Sequence, residues 1–407
     1  MKSRRLRYVF TPATEGADNL NGDSTRSVHE AEPYDEETGS LTIPIYETST
    51  FGFGKAEKVP KAVAGQGGYV YSRWDNPTVV RLEEKLAAFE HGGDGAAFSS
   101  GMAAISTAVF SFLKKGAHVL GIKDLYGGTY ALLRDILPEL GLDTTLVESS
   151  DFGALERGLK KNTRIVYIES PTNPTMKLVD IRKAAKLAHS NGGLLMVDNT
   201  FASPINQNPI DFGADVVLHS VTKYINGHAD LIAGAAIASK ENAHRIKMMR
   251  RDFGGTLDPI PAWLILRGMK TMAIRVRQQN ATAMVLAEFL STHKKVEAVH
   301  YPGLKTHPQH QLAKRQMKGF GGMLSFVIKG TTKDAMKFTE SVRVATLAAS
   351  LGGVETLVSQ PYNMTHTQMS AKEREAMGIP ETLVRVSVGI EDQEDLVDDF
   401  KHALAAV

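Results

Sequence analysis

Between residues 96 and 218, short apolar runs alternate with stretches of helical periodicity, and this alternation restricts the chain to few folds. Runs at 96–98, 119–122, 144–147, 165–168, 194–197 and 216–218 read as strands. Stretches at 129–140, 153–159 and 181–191 read as helices, and Ser99-Ser100-Gly101-Met102 turns tightly into another that runs to about Leu113. Strands that lack polar alternation are buried on both faces, so the pattern predicts a mainly parallel sheet covered by helices on both sides. In such a sheet the loops at the strand C-terminal ends carry the chemistry, because the strands hold them rigid while the loops vary freely. No G-x-G-x-x-G follows a strand and no G-x-x-x-x-G-K-[ST] occurs, so dinucleotide-binding and P-loop readings lose their main support.

The strand ends within 193–234 are the most informative. One apolar run ends on Asp198, and the next runs into Ser220-Val221-Thr222-Lys223. An amine, a carboxylate and two hydroxyls side by side are what pyridoxal phosphate (PLP) requires. Its aldehyde condenses with an amine, its pyridine nitrogen is kept protonated by an acid, and its phosphate takes hydroxyl and N–H donors. Taken singly, a capping Asp or a Lys opening a surface helix would be ordinary. Other strand ends add to the set. Gly101 lets the backbone approach an anion at a helix N-terminus, where free N–H groups and a positive dipole end favour phosphate. Asp124-Leu125-Tyr126-Gly127-Gly128 exposes a tyrosine suited to stacking on a flat ring. Glu169-Ser170-Pro171-Thr172-Asn173-Pro174 is a Pro-punctuated loop that aims the Asn173 amide, although either loop would also serve as a plain turn. Upstream, Tyr71 and Arg73 flank Ser72 and point the same way, a usable phosphate clamp. Asp75-Asn76-Pro77-Thr78 then turns into a helix with Val80, Leu82, Leu86 and Phe89 on its apolar side and Arg81, Glu84 and Lys85 expected on the exposed side.

At 407 residues the chain is long enough for two domains. A formal net charge of +2 gives no field to recruit nucleic acid or an anionic membrane. Cysteine is absent, which removes disulfides, thiolate metal sites and cysteine nucleophiles together, and is compatible with a reducing cytoplasm. The basic start MKSRRLRYVF has no apolar region behind it, and no apolar run approaches the ~20 residues that span a bilayer, so a cytoplasmic protein is expected. Residues 18–54 read as an extended arm, too polar to fold alone and so packed on something else, such as a neighbouring subunit. After Asp252 the alternation weakens. A long helical stretch at 257–290, broken near Pro259 and Pro261 and with Arg267, Lys270, Arg275 and Arg277 on its polar side, leads to a smaller domain. That domain has strands near 323–328 and 383–388 and helices near 333–340 and 394–404, an α+β layer. Within it, Arg385 sits in the apolar strand LVRVSVG and wants an anionic partner, either an internal acid or a substrate carboxylate.

YSRWDNPT, SSGMAA, DLYGGTY, ESPTNPT, VDNTF, SVTKYINGHAD, YPGLKTHPQH, GFGGMLSF, SLGGVETL and LVRVSVGIED follow one another in this order, and the chain from Thr25 onward thereby resembles the Cys/Met-metabolism family of fold-type I PLP enzymes. The resemblance implies a large domain with a mainly parallel seven-stranded sheet and a smaller α+β domain, divided here as arm 1–66, PLP domain 67–258, and connecting helix with C-terminal domain 259–407. It implies that Lys223 bonds to the cofactor and then shuttles protons, that Asp198 pairs with the pyridine nitrogen, and that Tyr126 stacks on the ring and assists at the leaving group. Gly101, Met102, Ser220 and Thr222 would hold phosphate, and Asn173 the ring hydroxyl. Tyr71 and Arg73 would reach the phosphate of a neighbouring subunit, making a dimer obligatory and a homotetramer of paired dimers expected. Arg385 and Ser350 would hold the substrate α-carboxylate.

The family contains γ-lyases, β-lyases and γ-replacing enzymes, and two positions bear on the choice. Ala349 precedes Ser350 where cystathionine γ-lyases and γ-synthases usually have a Glu, and a small residue there suits a thioether tail. Gly128 stands where methionine γ-lyases typically carry a cysteine, and SLGGVETL and GFGGMLSF look more like the cystathionine enzymes. The expectation is a sulfur-amino-acid γ-lyase with methionine as substrate and no metal. Cystathionine γ-lyase, cystathionine γ-synthase or homoserine-ester sulfhydrylase, and an aminotransferase are the alternatives.

Overall fold

The computed structural model describes residues 22–35, 38–149, 151–364, 374 and 377–407. The basic tail and residues 18–21 of the expected arm lie outside them. Seven strands, β1 (Asp94–Phe98), β2 (His118–Ile122), β3 (Asp143–Val147), β4 (Thr163–Glu169), β5 (Leu194–Asp198), β6 (Val216–His219) and β7 (Gly234–Ala238), form one sheet in the order β1-β7-β6-β5-β4-β2-β3. β3, β2, β4, β5 and β6 pair in parallel, as the uninterrupted apolar runs predict. β7 alone runs antiparallel to both neighbours. Its sequence, GAAIA, has little strand propensity and gave no signal. The chain returns antiparallel here because the segment between β6 and β7 is a chain of turns, not a crossover helix.

Register decides what meets at the strand ends. Glu169 pairs with Asp198 across β4 and β5, and Asp198 pairs with Leu218 across β5 and β6. Two acids and the start of the Ser220–Lys223 turn are thereby set in one row. The second sheet, β8 (Val296–His300), β9 (Met323–Ile328), β10 (Thr346–Leu347), β11 (Leu357–Ser359) and β12 (Leu383–Ser387), has the order β10-β11-β12-β9-β8. Helices Thr332–Ser341 and Gln393–Ala406 pack on it through Phe326, Phe338 and Phe400, whose rings meet edge-on at 5.2 and 5.4 Å. The helix Met272–Thr292 passes from one apolar core, which includes Val276, into the other, which includes Ala283.

Three expectations are corrected by long-range packing. The long helical stretch breaks at Lys270-Thr271, not at its prolines. Pro259 opens the helix Pro259–Met269, where its missing N–H costs nothing. Arg275 is buried, not on a polar face, and its guanidinium donates to the carbonyls of Tyr224 (2.9 Å) and Gly268 (3.0 Å). On the helix Pro77–Phe89, Arg81 and Lys85 are buried and only Glu84 is exposed. Lys85 is buried because the arm comes back to it. The helix Asp23–His29 packs on this same chain, the Glu32 carboxylate pairs with Lys85 and with Lys270 (2.5 Å), and Arg277 donates to Ser24 (2.8 Å). The first part of the arm is thus held by its own subunit, through charges that a solvent-facing reading cannot pair. Further along, Tyr34, Leu41 and Ile45 remain exposed.

Candidate active site

Lys223 lies in the turn after β6, and its Nζ donates to Ser350 Oγ at 2.6 Å. Ser350 belongs to the second sheet's half of the molecule and adopts φ +86°, a left-handed conformation that costs a serine about 1–3 kcal/mol and that local contacts must hold. Those contacts are present. The Ser350 carbonyl accepts from Arg385 Nη2 at 3.0 Å, and Arg385 Nη1 donates to Asn173 Oδ1 at 3.1 Å. Lys223, Ser350, Arg385 and Asn173 therefore form one connected group drawn from both sheets. Burial and the neighbouring Arg385 push the Lys223 ammonium down to about 8, which leaves a fraction of the amine neutral near physiological pH.

Arg385, only 4% exposed, has no carboxylate partner among the described residues. Its partners are the Asn173 amide oxygen and the Ser350 carbonyl, so no acid among the described residues satisfies it. Asp198, also buried, is the converse case. Thr200 N–H donates to its Oδ1 at 3.0 Å, yet burial raises its carboxyl above the ordinary range and no cation pairs with it among the described residues. A buried acid lacking a cation and a buried cation lacking an acid fit a zwitterionic pair of guests, a protonated pyridine ring and an amino-acid carboxylate.

The turn that the sequence assigns to phosphate is built by close approach. A Cβ on Gly101 would lie 3.0 Å from Ser220 Cβ, so glycine lets the helix Gly101–Phe112 meet the lysine turn without displacing it. Ser100 Oγ caps that helix at Ala103 N–H (3.1 Å), and Gly101 and Met102 keep N–H groups without an intrahelical acceptor. Ser220 N–H is tied to Thr200 Oγ1 at 2.9 Å, so Thr200 links this turn to Asp198. The Thr222 hydroxyl is engaged on both sides by Ala233, donating at 3.1 Å and accepting at 2.9 Å. Tyr126 is 50% exposed above the helix end. Its ring lies against Met102 and Gly128, where an added Cβ would come within 2.8 Å of Tyr126 and 2.9 Å of Met102. Ala349 is exposed beside Ser350.

Tyr71 and Arg73 are placed elsewhere. Arg73 lies over the Tyr71 ring at 5.5 Å and donates to the Arg251 carbonyl, and their described contacts do not include the lysine group. Two residues of the site escaped sequence reasoning. Thr200 follows an acid at a strand end and reads as a simple turn residue. Glu169 ends β4 beside Asp198, and its only sequence signal is that two strands in succession end on an acid.

Residues 24–405 match the family of Cys/Met metabolism PLP-dependent enzymes. An L-methionine γ-lyase of Fusobacterium nucleatum subsp. polymorphum is 46% identical over 91% of the chain and 94% of its own length. A cystathionine γ-lyase of Bacillus subtilis is 44% identical over 93% and 98%. The crystal structure of metB from Corynebacterium glutamicum superposes with a TM-score of 0.90 at 41% identity, covering 95% of this chain and 98% of that one.

Proposed function

Because the chain belongs to the Cys/Met-metabolism family of PLP-dependent enzymes, we propose that it is a γ-lyase that converts L-methionine and water to 2-oxobutanoate, ammonia and methanethiol. The chain is a PLP-dependent carbon–sulfur lyase of sulfur amino acids. The observation that carries the choice of methionine is Ala349, a neutral residue next to the Ser350 that joins Lys223 and Arg385.

Lys223 and Asp198 would hold the two ends of the cofactor's reactive system, Tyr126 would cover its ring, Asn173 would take its hydroxyl, and Gly101, Met102, Ser220 and Thr222 would receive its phosphate. When bound, PLP supplies the electron sink that makes the substrate's Cα–H and then Cβ–H acidic. Arg385 binds the α-carboxylate, its guanidinium fixed by Asn173 and Ser350. The Lys223 amine, neutral in a useful fraction near its depressed pKa of about 8, removes the Cα proton and is aimed by Ser350 Oγ. Tyr126 delivers a proton to the departing sulfur, which leaves as methanethiol. Water completes the lyase outcome, and a thiol arriving at the same stage would give γ-replacement.

Tyr71 and Arg73 complete the phosphate site of a neighbouring subunit, in a cytoplasmic homotetramer of paired dimers. The reading is supported by their contacts away from their own lysine group and by the half-exposed Tyr71 ring. The arm 1–66, the domain 67–258 and the domain 259–407 are the units of this assembly.

Specificity is testable at Ala349. A carboxylate at this exposed position would meet the distal ammonium of cystathionine in a solvent-screened pair worth about 0.2–1 kcal/mol, up to roughly fivefold. Wild type is expected to show kcat/KM for L-methionine at least comparable to that for L-cystathionine, and Ala349→Glu to move the ratio towards cystathionine. Wild type that cleaves cystathionine far faster would replace the methionine reading with cystathionine γ-lyase.

Gly128 gives a second expectation. A methyl group at this position drives into Tyr126 or Met102, an overpacking of about 1–3 kcal/mol that the exposed Tyr126 ring yields to most easily. Gly128→Ala is expected to lower kcat about tenfold, with the thermal midpoint nearly unchanged because the ring moves towards solvent. Steady-state kinetics beside a melting curve checks it. Undiminished kcat would mean that the Tyr126 ring position is not critical.

A further inference from the structure

We propose that Glu169 is a positioning residue that fixes Tyr126 and Asn173 relative to Asp198, and through Asn173 fixes Arg385. The inference rests on the reading of Tyr126, Asn173 and Asp198 as the seat of PLP. The Glu169 side chain is buried at the end of β4, 3% exposed, and both carboxyl oxygens are used on backbone. Oε2 accepts the N–H of Tyr126 at 2.9 Å, and Oε1 accepts the N–H of Asn173 at 3.0 Å. One rigid group at a strand end therefore meets two separate loops, and its strand partner in the register is Asp198 itself. The chain of contact continues outward, since the Asn173 side chain accepts from Arg385 Nη1 at 3.1 Å. Three groups assigned to the cofactor and one assigned to the substrate are thus referred to a single carboxylate.

The loops have other anchors that would keep them folded without it. Asp124 holds the start of the tyrosine loop through Ser149 (2.5 Å) and Lys177 (3.0 Å). Ser325 Oγ donates to the Pro174 carbonyl at 2.7 Å, and Gln309 receives the N–H of Leu178 at 2.7 Å. Among the described residues Glu169 is the side chain that ties the N–H groups of both Tyr126 and Asn173 to the sheet, and a stacked ring and an oriented guanidinium depend on such placement. Burial first and the Asp198 neighbour second push the Glu169 carboxyl well above the usual range, and the N–H groups of Tyr126 and Asn173 oppose that shift. A neutral amide would offer one acceptor and turn an NH2 group towards the second N–H, whereas the two oxygens of Glu169 accept both.

The test compares Glu169→Gln and Glu169→Ala with wild type, first as apoproteins titrated with PLP, then as holoproteins. Glutamine keeps one acceptor and turns an NH2 group towards the other N–H, and alanine keeps none. PLP is expected to bind the alanine variant roughly ten- to a hundredfold more weakly and the glutamine variant by an intermediate factor. The visible circular dichroism per bound PLP should change in both, and KM for the amino acid should rise through the misaligned Arg385. Thermal unfolding of the glutamine apoprotein should stay close to wild type, so this variant decides the matter should alanine not fold. Wild-type PLP that binds normally alongside variants with unchanged affinity, dichroism and KM would overturn the inference alone. Wild type that takes up no PLP would overturn the underlying reading and this inference with it.

Discussion

Replacing Lys223 with alanine is expected to remove turnover, by at least about a thousandfold, while the fold and melting temperature stay close to wild type. The size follows from the loss of two functions at once. A positioned general base is worth about 10²–10⁴-fold, and covalent attachment of the cofactor adds to it. The fold should tolerate the change because the lysine side chain is only partly buried and its one recorded hydrogen bond is to Ser350. Its charge is also already disfavoured by burial and by Arg385, so its removal leaves no unpaired acid. Borohydride reduction of the native holoenzyme followed by peptide mapping should label Lys223. A label on any other lysine would sink the assignment.

Mixing two inactive variants should restore activity. Arg73→Ala is expected to lose the phosphate contact in every site, since a charge-assisted Arg–phosphate pair contributes about 1.5–3 kcal/mol to retaining the cofactor. Lys223→Ala lacks the reactive amine. If Arg73 serves the neighbour's site, a hybrid dimer has one site with both groups and one with neither. Random exchange of equal amounts then yields about a quarter of wild-type activity, half of the dimers being hybrid with one good site each. The arrangement of Arg73 beside Tyr71 and against the Arg251 carbonyl, apart from its own lysine group, is what motivates the experiment. No recovery after subunit exchange has been verified by mass spectrometry would show that each subunit builds its phosphate site alone.

The parallel sheet was legible because its strands are continuous apolar runs between helical stretches, a signal that does not depend on distant partners. β7 was not, since its alanines and glycine carry almost no strand preference and are fixed by neighbours on both sides. The same division holds in the site. Lys223, Asp198 and Asn173 announce themselves as polar residues at strand ends. The contact of Lys223 with Ser350, across 127 positions of sequence, depends on how two separate sheets dock, and no local pattern encodes it. Lys85 and Arg275 are buried against the local helical pattern for a related reason. Each is a charged residue at a helical position that would ordinarily face water, and each is buried by partners that come from remote segments: Glu32 for one, the carbonyls after Lys223 for the other. Glu169 is the clearest instance. Its role becomes visible only once the β4–β5 register has set it beside Asp198 and the two loops have folded over it.

The central claim is that these residues direct PLP towards release of sulfur from a sulfur amino acid. It is tested most directly by incubating the PLP-loaded enzyme with L-methionine and quantifying every product. Equal amounts of 2-oxobutanoate, ammonia and methanethiol are predicted, with PLP unchanged at the end. Accumulation of pyridoxamine phosphate together with a 2-oxo acid that still carries the methylthio group, and without ammonia or thiol, would contradict the account and make the protein an aminotransferase.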